Sequence, residues 1–358
     1  MQAMIKKLHI SNYKSIDELD LNCERINVFI GEPNTGKSNI LEALDLSFLS
    51  WMMGMNETIT KVNENNINGK IEKIDLKKYF RIDKAEKLFH LGNLNQPINI
   101  SHPGFSYDTS LEFRNDKESG KNFFQLNTSG NPRTFFDNDL IPIEPVQFFG
   151  SPIKPYRYKS NIQFHDTGNY INRLMPPFGN NLAKVIFHNP DIQEFAKEFA
   201  AEYGFEFNIN SATNEVNIQL RLNEGLVYTL PFEALAETFK RILFYLSAVT
   251  HNNGYVITLD EPDTHAFPAY VGMLADKIIG NASCQFFITT HNPYLLDEFI
   301  EKTPKNQLAI FVCGFDKLNK STIAKRLTDE ELSELLDYGV DIFFNVNKYL
   351  NDGIEYSA

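Results

Sequence analysis

Two rhythms of apolar and polar positions run along this chain. In the first, continuous apolar runs end abruptly in polar residues: Ile26-Asn27-Val28-Phe29-Ile30, Tyr255-Val256-Ile257-Thr258-Leu259, Gln285-Phe286-Phe287-Ile288-Thr289 and Gln307-Leu308-Ala309-Ile310-Phe311-Val312-Cys313. Runs of this kind predict strands covered on both faces, as in the parallel sheet of an α/β core. The segment from Pro268 to Ile279, amphipathic and closed by Gly280, supplies the crossover helix of a βαβ unit. Asn292-Pro293 reads as N-cap and first position of a further helix, and Thr328-Asp329-Glu330-Glu331 as a capping box opening a short one.

The second rhythm is period-two alternation. Strand-like runs precede it at residues 97–101, 110–114 and 122–126. It occurs at 205–209, 215–220 and 226–230, a meander turning at Ser211-Ala212-Thr213-Asn214 and at Asn223-Glu224-Gly225. Helices are predicted from Asn39 to Met53, from Asn181 to Tyr203 and up to Val249, whereas the Asn-rich stretch from Asn56 to Lys73 reads as loop. The sequence contains no sustained heptads and no long-period repeat.

Where the apolar runs end, the chemistry begins. Gly31-Glu32-Pro33-Asn34-Thr35-Gly36-Lys37-Ser38 is a complete phosphate-binding loop between a strand and a helix beginning at Ser38, the context the motif requires. Gly31 and Gly36 let the backbone turn tightly, so that successive N–H groups form an anion nest at the positive end of a helix. Lys37 would reach the β- and γ-phosphates of a nucleoside triphosphate, and the Ser38 hydroxyl would ligate Mg2+. The acidic run Asp260-Glu261 places two carboxylates at the end of a buried strand, where open α/β sheets bind ligands. Asp260 suits a magnesium held through water, and Glu261 suits the orientation or deprotonation of an attacking water. The next run ends in His291, on the same sheet edge and able to hydrogen-bond the γ-phosphate.

Together with the opening Ile5-Lys6-Lys7-Leu8-His9-Ile10-Ser11-Asn12-Tyr13-Lys14-Ser15-Ile16, the motifs GEPNTGKS, ITLDEP and ITTHNP resemble those of the ATP-binding-cassette class of P-loop ATPases. Within that class the chain is similar to the soluble branch of SMC, RecF and OLD-type proteins, and to standalone AAA-type ATPases of bacterial defence and mobile-element islands. The likeness is concentrated in residues 1–50 and 226–325. It implies an α/β P-loop NTPase head, with a mostly parallel core sheet, an added antiparallel β-layer and a helical lobe. It also implies ATP and Mg2+ sandwiched in a homodimer, each phosphate loop, from Gly31 to Ser38 with Asn39 behind it, facing a signature loop on the partner. In the family, Asp260 and Glu261 are the magnesium and catalytic acids and His291 is the switch histidine. Lys14 and Ser15 stand where the family lines the adenine and α-phosphate side, or are ordinary polar residues at a strand end. Gln147, grouped with Ser38 and Asp260 around the metal, is the candidate for the glutamine that couples the lobes in the family, the competing reading being an ordinary strand glutamine.

The chain departs from the family in two places. The Leu-Ser-Gly-Gly signature is replaced by Leu235-Ala236-Glu237-Thr238, which removes a hydroxyl and a bare backbone and weakens the expected contact in trans. Lys240 or Arg241 could substitute, the competing reading being that both lie on a solvated helix face. Pro33-Asn34 stands in place of the usual Asn-Gly and stiffens the phosphate loop.

At 358 residues with 42% hydrophobic content, the chain can bury a substantial core. A net charge of −12, from 46 acids against 34 bases, argues against broad nucleic-acid coating. Lys117, Lys121, Arg133, Lys154, Arg157 and Lys159, with Phe123, Phe124, Phe135, Phe136, Tyr156 and Tyr158 between them, read as scattered surface charge over a β-layer. Cys23, Cys284 and Cys313 have no metal spacing and fit buried thiols of a cytoplasmic protein. No leader and no membrane-length apolar stretch is seen. The organisation expected is one discontinuous head over 1–358: a nucleotide-binding core at 1–50 and 226–325, an inserted β-rich and helical lobe at 51–225, and a helical tail at 326–358. The tail lacks the acid cluster of the nuclease domain that OLD-type proteins append, Asp337, Asp341 and Asp352 reading as surface charges.

These observations point to a Mg-dependent ATPase whose nucleotide-dependent dimerisation drives or licenses a separate effector protein, in phage defence or DNA maintenance. A nucleotide-gated scaffold with little hydrolysis is the alternative. A small-molecule kinase would need an acceptor pocket and lid arginines that the sequence does not display.

Overall fold

The computed structural model describes residues 4–65, 72–105, 107–116, 120–147, 150–162, 164, 172–210, 215–223, 225–338 and 342–350. A hairpin, β1 (Lys7–Tyr13) and β2 (Ile16–Asn22), precedes β3 (Ile26–Gly31), which runs through the phosphate loop into α1 (Lys37–Leu46). Next come α2 (Leu49–Asn65), α3 (Leu76–Tyr79), and the strands β4 (Ile98–Ser101), β5 (Thr109–Asn115), β6 (Asn122–Thr128), β7 (Thr134–Phe136) and β8 (Ile153–Tyr156). The pair α4 (Leu182–His188) and α5 (Pro190–Glu202) leads to β9 (Glu206–Asn210), β10 (Glu215–Asn223) and β11 (Leu226–Pro231). The chain continues through α6 (Glu237–Val249), β12 (Val256–Asp260), α7 (Pro268–Gly280), β13 (Gln285–Thr289) and α8 (Pro293–Lys302). It closes with β14 (Leu308–Asp316), β15 (Ser321–Arg326), α9 (Asp329–Tyr338) and α10 (Val346–Leu350).

Among the described residues three sheets result. The core sheet has the order β15-β14-β3-β13-β12-β8, parallel throughout except for β15, which pairs antiparallel to β14. An antiparallel layer has the order β2-β1-β4-β5-β6-β7, and β11-β10-β9 forms the small meander. Strand β3 shows why the layers stack as they do. Ile26, Val28 and Ile30 face a cluster shared with Phe239, Leu274 and Leu295 of the crossover helices, while Phe29 faces a cluster shared with Ile40, Met52, Ile100 and Leu126. Across that second face Phe29 stacks on Phe311 and Phe287, with ring centroids 5.0 and 6.3 Å apart. A strand buried on both faces cannot alternate apolar and polar residues, which is the pattern read from the sequence.

Several expectations are corrected. The helix expected from Asn39 to Met53 breaks after Leu46, where Ser47 and Phe48 N–H donate back to Leu44 and Asp45 carbonyls, and a second helix runs on to Asn65. Half of the polar stretch expected as loop is therefore helical. Its Asn56 exchanges two hydrogen bonds with the Ile74 backbone, at 2.7 and 2.8 Å, a tertiary partnership invisible to local propensity. The helix expected from Asn181 to Tyr203 is split where Pro190 opens α5.

Strand β8, inside the span expected as inserted lobe, is an edge of the core sheet. Register with β12 recruits it despite Pro155, which an edge strand tolerates. Conversely, β1 and β2 lie in the antiparallel layer and β11 in the meander. The capping box at Thr328 forms as expected, Thr328 N–H donating to Glu331 Oε2 and Glu331 N–H to Thr328 Oγ1.

Two of the basic residues read as surface charge are inside. Lys154 lies over the rings of Tyr255 and Phe48, and burial pushes its pKa down to about 8. Arg157 pairs with Asp45, whose side chain is fully enclosed. The three cysteines are free and buried. Among the described residues no helix is long and apolar enough to cross a membrane. Lys117, the turn at residues 211–214, Asp341, Asp352 and the Asp337 side chain lie outside the described residues.

Candidate nucleotide-binding site

Both glycines of the phosphate loop are required by contact. Gly31 has φ 144° and lies beside its register partner Cys313, whose carbonyl oxygen would be 2.3 Å from an added Cβ. Gly36 has φ 90°, and a Cβ there would meet Thr322 Oγ1 at 2.0 Å and Ser15 Oγ at 2.7 Å. Asn34, in place of the family's glycine, adopts φ 63°, a left-handed conformation that Asn tolerates better than most residues. Gly36 is the N-cap of α1 and supplies no side-chain cap, so the first-turn N–H groups of that helix face the loop's interior without one. The Lys37 ammonium is enclosed and donates to Gly31 O and Glu32 O at 2.9 and 2.7 Å. Burial lowers its pKa, with Cys313, Glu261, Asp260 and Glu32 opposing. Thr35 Oγ1 pins the loop by donating to Glu32 O at 2.9 Å.

The acidic edge is assembled by strand register. Asp260 is paired with Thr289 across β12 and β13, and Thr289 with Phe29 across β13 and β3. Thr289 Oγ1 donates to Asp260 Oδ1 at 2.6 Å and accepts the Glu261 N–H at 2.9 Å. Ser38 Oγ donates to the same Asp260 Oδ1 at 3.0 Å, which brings the phosphate loop and the acids into one site. His291 Nε2 lies 3.5 Å from Glu261 Oε1. Burial first, and then Lys37, lowers the His291 pKa against the pull of Glu261 and Asp260. Behind the acids, Arg241 donates to Glu261 O at 3.1 Å and Tyr245 OH to Asp260 O at 3.3 Å.

The foot of α1 is anchored separately. Asp45 accepts from Thr258 Oγ1 at 2.7 Å, from Tyr79 OH at 2.8 Å and from Arg157 Nη2 at 2.5 Å. Thr258 stands two residues before Asp260, so one buried carboxylate sets the spacing between the loop helix and the acidic strand. At the flank, Ser15 Oγ bonds Thr322 Oγ1 at 2.6 Å and accepts from Asn39 Nδ2 at 2.7 Å. Lys14, at φ 49°, pairs with Glu42 and lines a cavity of about 830 Å3 with Asn39, Lys78, Arg81 and Lys87.

The structure thus gathers residues 31–39, Ser15, Asp260, Glu261 and His291, with Lys14 at the border. Gln147 is not brought to them: it is exposed in an irregular segment whose Val146 N–H is held by Glu57 of α2. Lys240 and Arg241 do not lie on a solvated face. Lys240 is buried, 3.1 Å from Glu237 and 3.3 Å from Glu233 O, and Arg241 points into its own chain's site. Sequence reasoning missed Thr289, Thr322, Tyr79 and the Asp45–Arg157 pair. Only Thr289 carried a signal, as the polar end of a buried strand beside the acids.

A strand-loop-helix phosphate site at the carboxyl edge of a parallel sheet, faced by an Asp-Glu strand and a histidine, defines a P-loop NTPase fold. The family comparison agrees with that class. Residues 4–143 match the family described as AAA ATPase domain. An uncharacterized protein of Methanocaldococcus jannaschii is 45% identical over 64 residues, which span 18% of this chain and 29% of that protein. Among solved structures, an Smc head bound to the C-terminal winged-helix domain of ScpA is 14% identical, covers 91% of this chain and 99% of its own, and superposes with a TM-score of 0.45. The SMC head domain from Thermotoga maritima is 13% identical over 92% of this chain and 100% of its own, with a TM-score of 0.37. At these scores the fold assignment rests on the sheet order and the loop geometry rather than on the superpositions.

Proposed function

We propose that this ATPase head binds Mg-ATP at residues 31–39, hydrolyses it with Glu261, and works as a nucleotide-dependent homodimer that drives or licenses a separate effector protein. The observation that carries the reading is the convergence of Ser38, Asp260, Thr289, Glu261 and His291 at the ends of three adjacent strands.

The donor set fits the ligand: an uncapped helix N-terminus and an enclosed ammonium for phosphates, and a hydroxyl with a carboxylate for a hard cation. When bound, Mg2+ supplies neutralisation of charge on the β- and γ-phosphate oxygens. Lys37, now satisfied by two loop carbonyls, has donors to offer a phosphate. Glu261 takes or orients the proton of the attacking water. His291, with its pKa lowered, presents a neutral imidazole beside Glu261 and the γ-phosphate position. Lys14 and Ser15 border the site on the side of α1 where the nucleoside end would lie. A separate effector, a role in phage defence or DNA maintenance, and a cytoplasmic location are parts of the same proposal.

The test is phosphate release from Mg-ATP by the wild type and by Glu261→Gln over a range of protein concentrations. Turnover that depends on Glu261 and rises faster than linearly supports paired heads; equal rates for the two proteins remove Glu261 from the mechanism.

A second reading, a nucleotide-gated scaffold with little hydrolysis, is favoured by the altered signature segment. Thr238 Oγ1 is committed to His265 O of its own chain at 2.5 Å, and Ala236 offers no hydroxyl to a partner's phosphate. ATP binding without turnover would support it.

A further inference from the structure

Helix α6 touches the end of β12 and the segment after it through three donors on one face. Thr238 Oγ1 donates to His265 O at 2.5 Å, Arg241 Nη1 to Glu261 O at 3.1 Å and Tyr245 OH to Asp260 O at 3.3 Å. Positions 238, 241 and 245 follow the three- and four-residue spacing that keeps side chains on one helical stripe. The middle contact falls on an unusual backbone. Glu261 has φ 46°, a conformation non-glycine residues seldom adopt, and so it needs to be held from both sides. Its N–H is held by Thr289, through both O at 3.2 Å and Oγ1 at 2.9 Å, and its carbonyl by Arg241.

Arg241 is itself held. Its guanidinium lies 4.9 Å from the ring centroid of Tyr158, whose N–H donates to Tyr245 OH at 3.4 Å. A planar guanidinium can stack by its face while donating from its edge, which an ammonium cannot do. Among the described residues the buried Arg241 Nε has no hydrogen-bond partner.

We propose that Arg241 is a positioning residue acting within its own chain: it fixes the Glu261 main chain and so aims the Glu261 carboxylate at the attacking water, leaving nucleotide binding to the phosphate loop. The inference rests on the hydrolytic reading above and extends it to a residue whose sequence position suggested a contact with a partner.

The experiment compares wild type, Arg241→Ala and Arg241→Lys for phosphate release, for Mg-ATP affinity by titration, for thermal unfolding, and for amide hydrogen exchange across residues 260–265. Arg241→Ala is expected to lower turnover about 10- to 100-fold, as loss of outer-shell partners does, with ATP affinity within about twofold of wild type. Exchange at residues 261–264 is expected to accelerate, and Arg241→Lys to recover part of the turnover. Undiminished turnover in Arg241→Ala, or a fall in ATP affinity as large as the fall in turnover, overturns the assignment. An equal mixture of Arg241→Ala and Glu261→Gln proteins tests the in-chain claim. If Arg241 serves its own Glu261, every composite site keeps one defect and the mixture stays slow; recovery well above either protein alone would mean that Arg241 acts across the dimer. Failure of the hydrolytic reading shows separately, as absent turnover in the wild type, while the exchange measurement still reports whether Arg241 holds Glu261.

Discussion

Ser38 and Asp260, 222 positions apart in the chain, are joined by a hydrogen bond of 3.0 Å between hydroxyl and carboxylate. This bond docks the first turn of α1 against the end of β12 and leaves two hard oxygens side by side. Ser38→Ala is expected to raise the Mg2+ concentration needed for tight ATP binding and to lower turnover at least about tenfold. Titrating Mg2+ at fixed nucleotide checks it; an unchanged metal requirement would detach Ser38 from the cation.

Lys37→Met should separate function from folding. The ammonium is enclosed and its pKa is depressed chiefly by burial, so an apolar side chain of similar length relieves a desolvation cost. The expected result is ATP binding weakened by more than about tenfold, since a charge-assisted contact is worth more than about 1.4 kcal/mol. The unfolding midpoint should be equal or higher. A variant that melts early would show that the two loop carbonyls depend on Lys37 for stability.

Gly36→Ala meets both limits at once. A Cβ would stand 2.0 Å from Thr322 Oγ1 while φ 90° strains any L-residue. Destabilisation of about 1–3 kcal/mol is expected from the strained conformation, with loss of ATP binding. Pairing it with Thr322→Gly should restore part of the stability by removing the clash, as chemical denaturation would show.

Asp45 and Arg157 form the buried ion pair beneath α1, with Thr258 and Tyr79 completing the carboxylate's hydrogen bonds. Asp45→Ala leaves an uncompensated buried guanidinium and is expected to cost about 3–5 kcal/mol. The double change Asp45→Leu with Arg157→Met should cost clearly less than the two single changes added together. Additive costs would mean that the two charges are independent.

His102 sets a pH dependence. It is buried, 3.7 Å from Asp108, and burial pushes its pKa down to about 4 from 6.5. Above pH 6.5 both folded and unfolded chains hold a neutral ring. As pH falls through 6.5 the unfolded chain takes up the proton first, so stability declines until about pH 4 and the difference then levels off. The contribution reaches about 3 kcal/mol by the usual conversion. His102→Leu is expected to flatten this part of the stability profile in denaturant titrations between pH 7 and 4, and an unchanged slope would assign it to other groups.

Much of the site was legible because its parts are local. The phosphate loop needs only a strand, two glycines, a lysine, a serine and a helix in immediate succession, and the acids and His291 are marked by buried runs ending in polar residues. The meander was legible for the same reason, through period-two alternation, and the strands of the β-layer through short strand-like runs whose assembly into a layer came from the resemblance. Gln147 was read within a strand but lies exposed in an irregular segment, and Arg241 was misplaced because helix periodicity does not say which neighbour a polar face meets. Asn56 was misread because its partner, Ile74, lies 18 residues further along the chain.

The sequence by itself determined which backbone stretches could bind phosphate and which strands had to be buried, since glycine freedom, helix-end electrostatics and apolar periodicity act over a few residues. Only the tertiary structure decided that Thr289 would bridge Asp260 to Glu261, that Thr322 would close over Gly36, and that Asp45 would meet Arg157 and Thr258. Those contacts depend on strand register and on which faces pack together. These are settled by burying both sides of one sheet at once, and no local pattern encodes them.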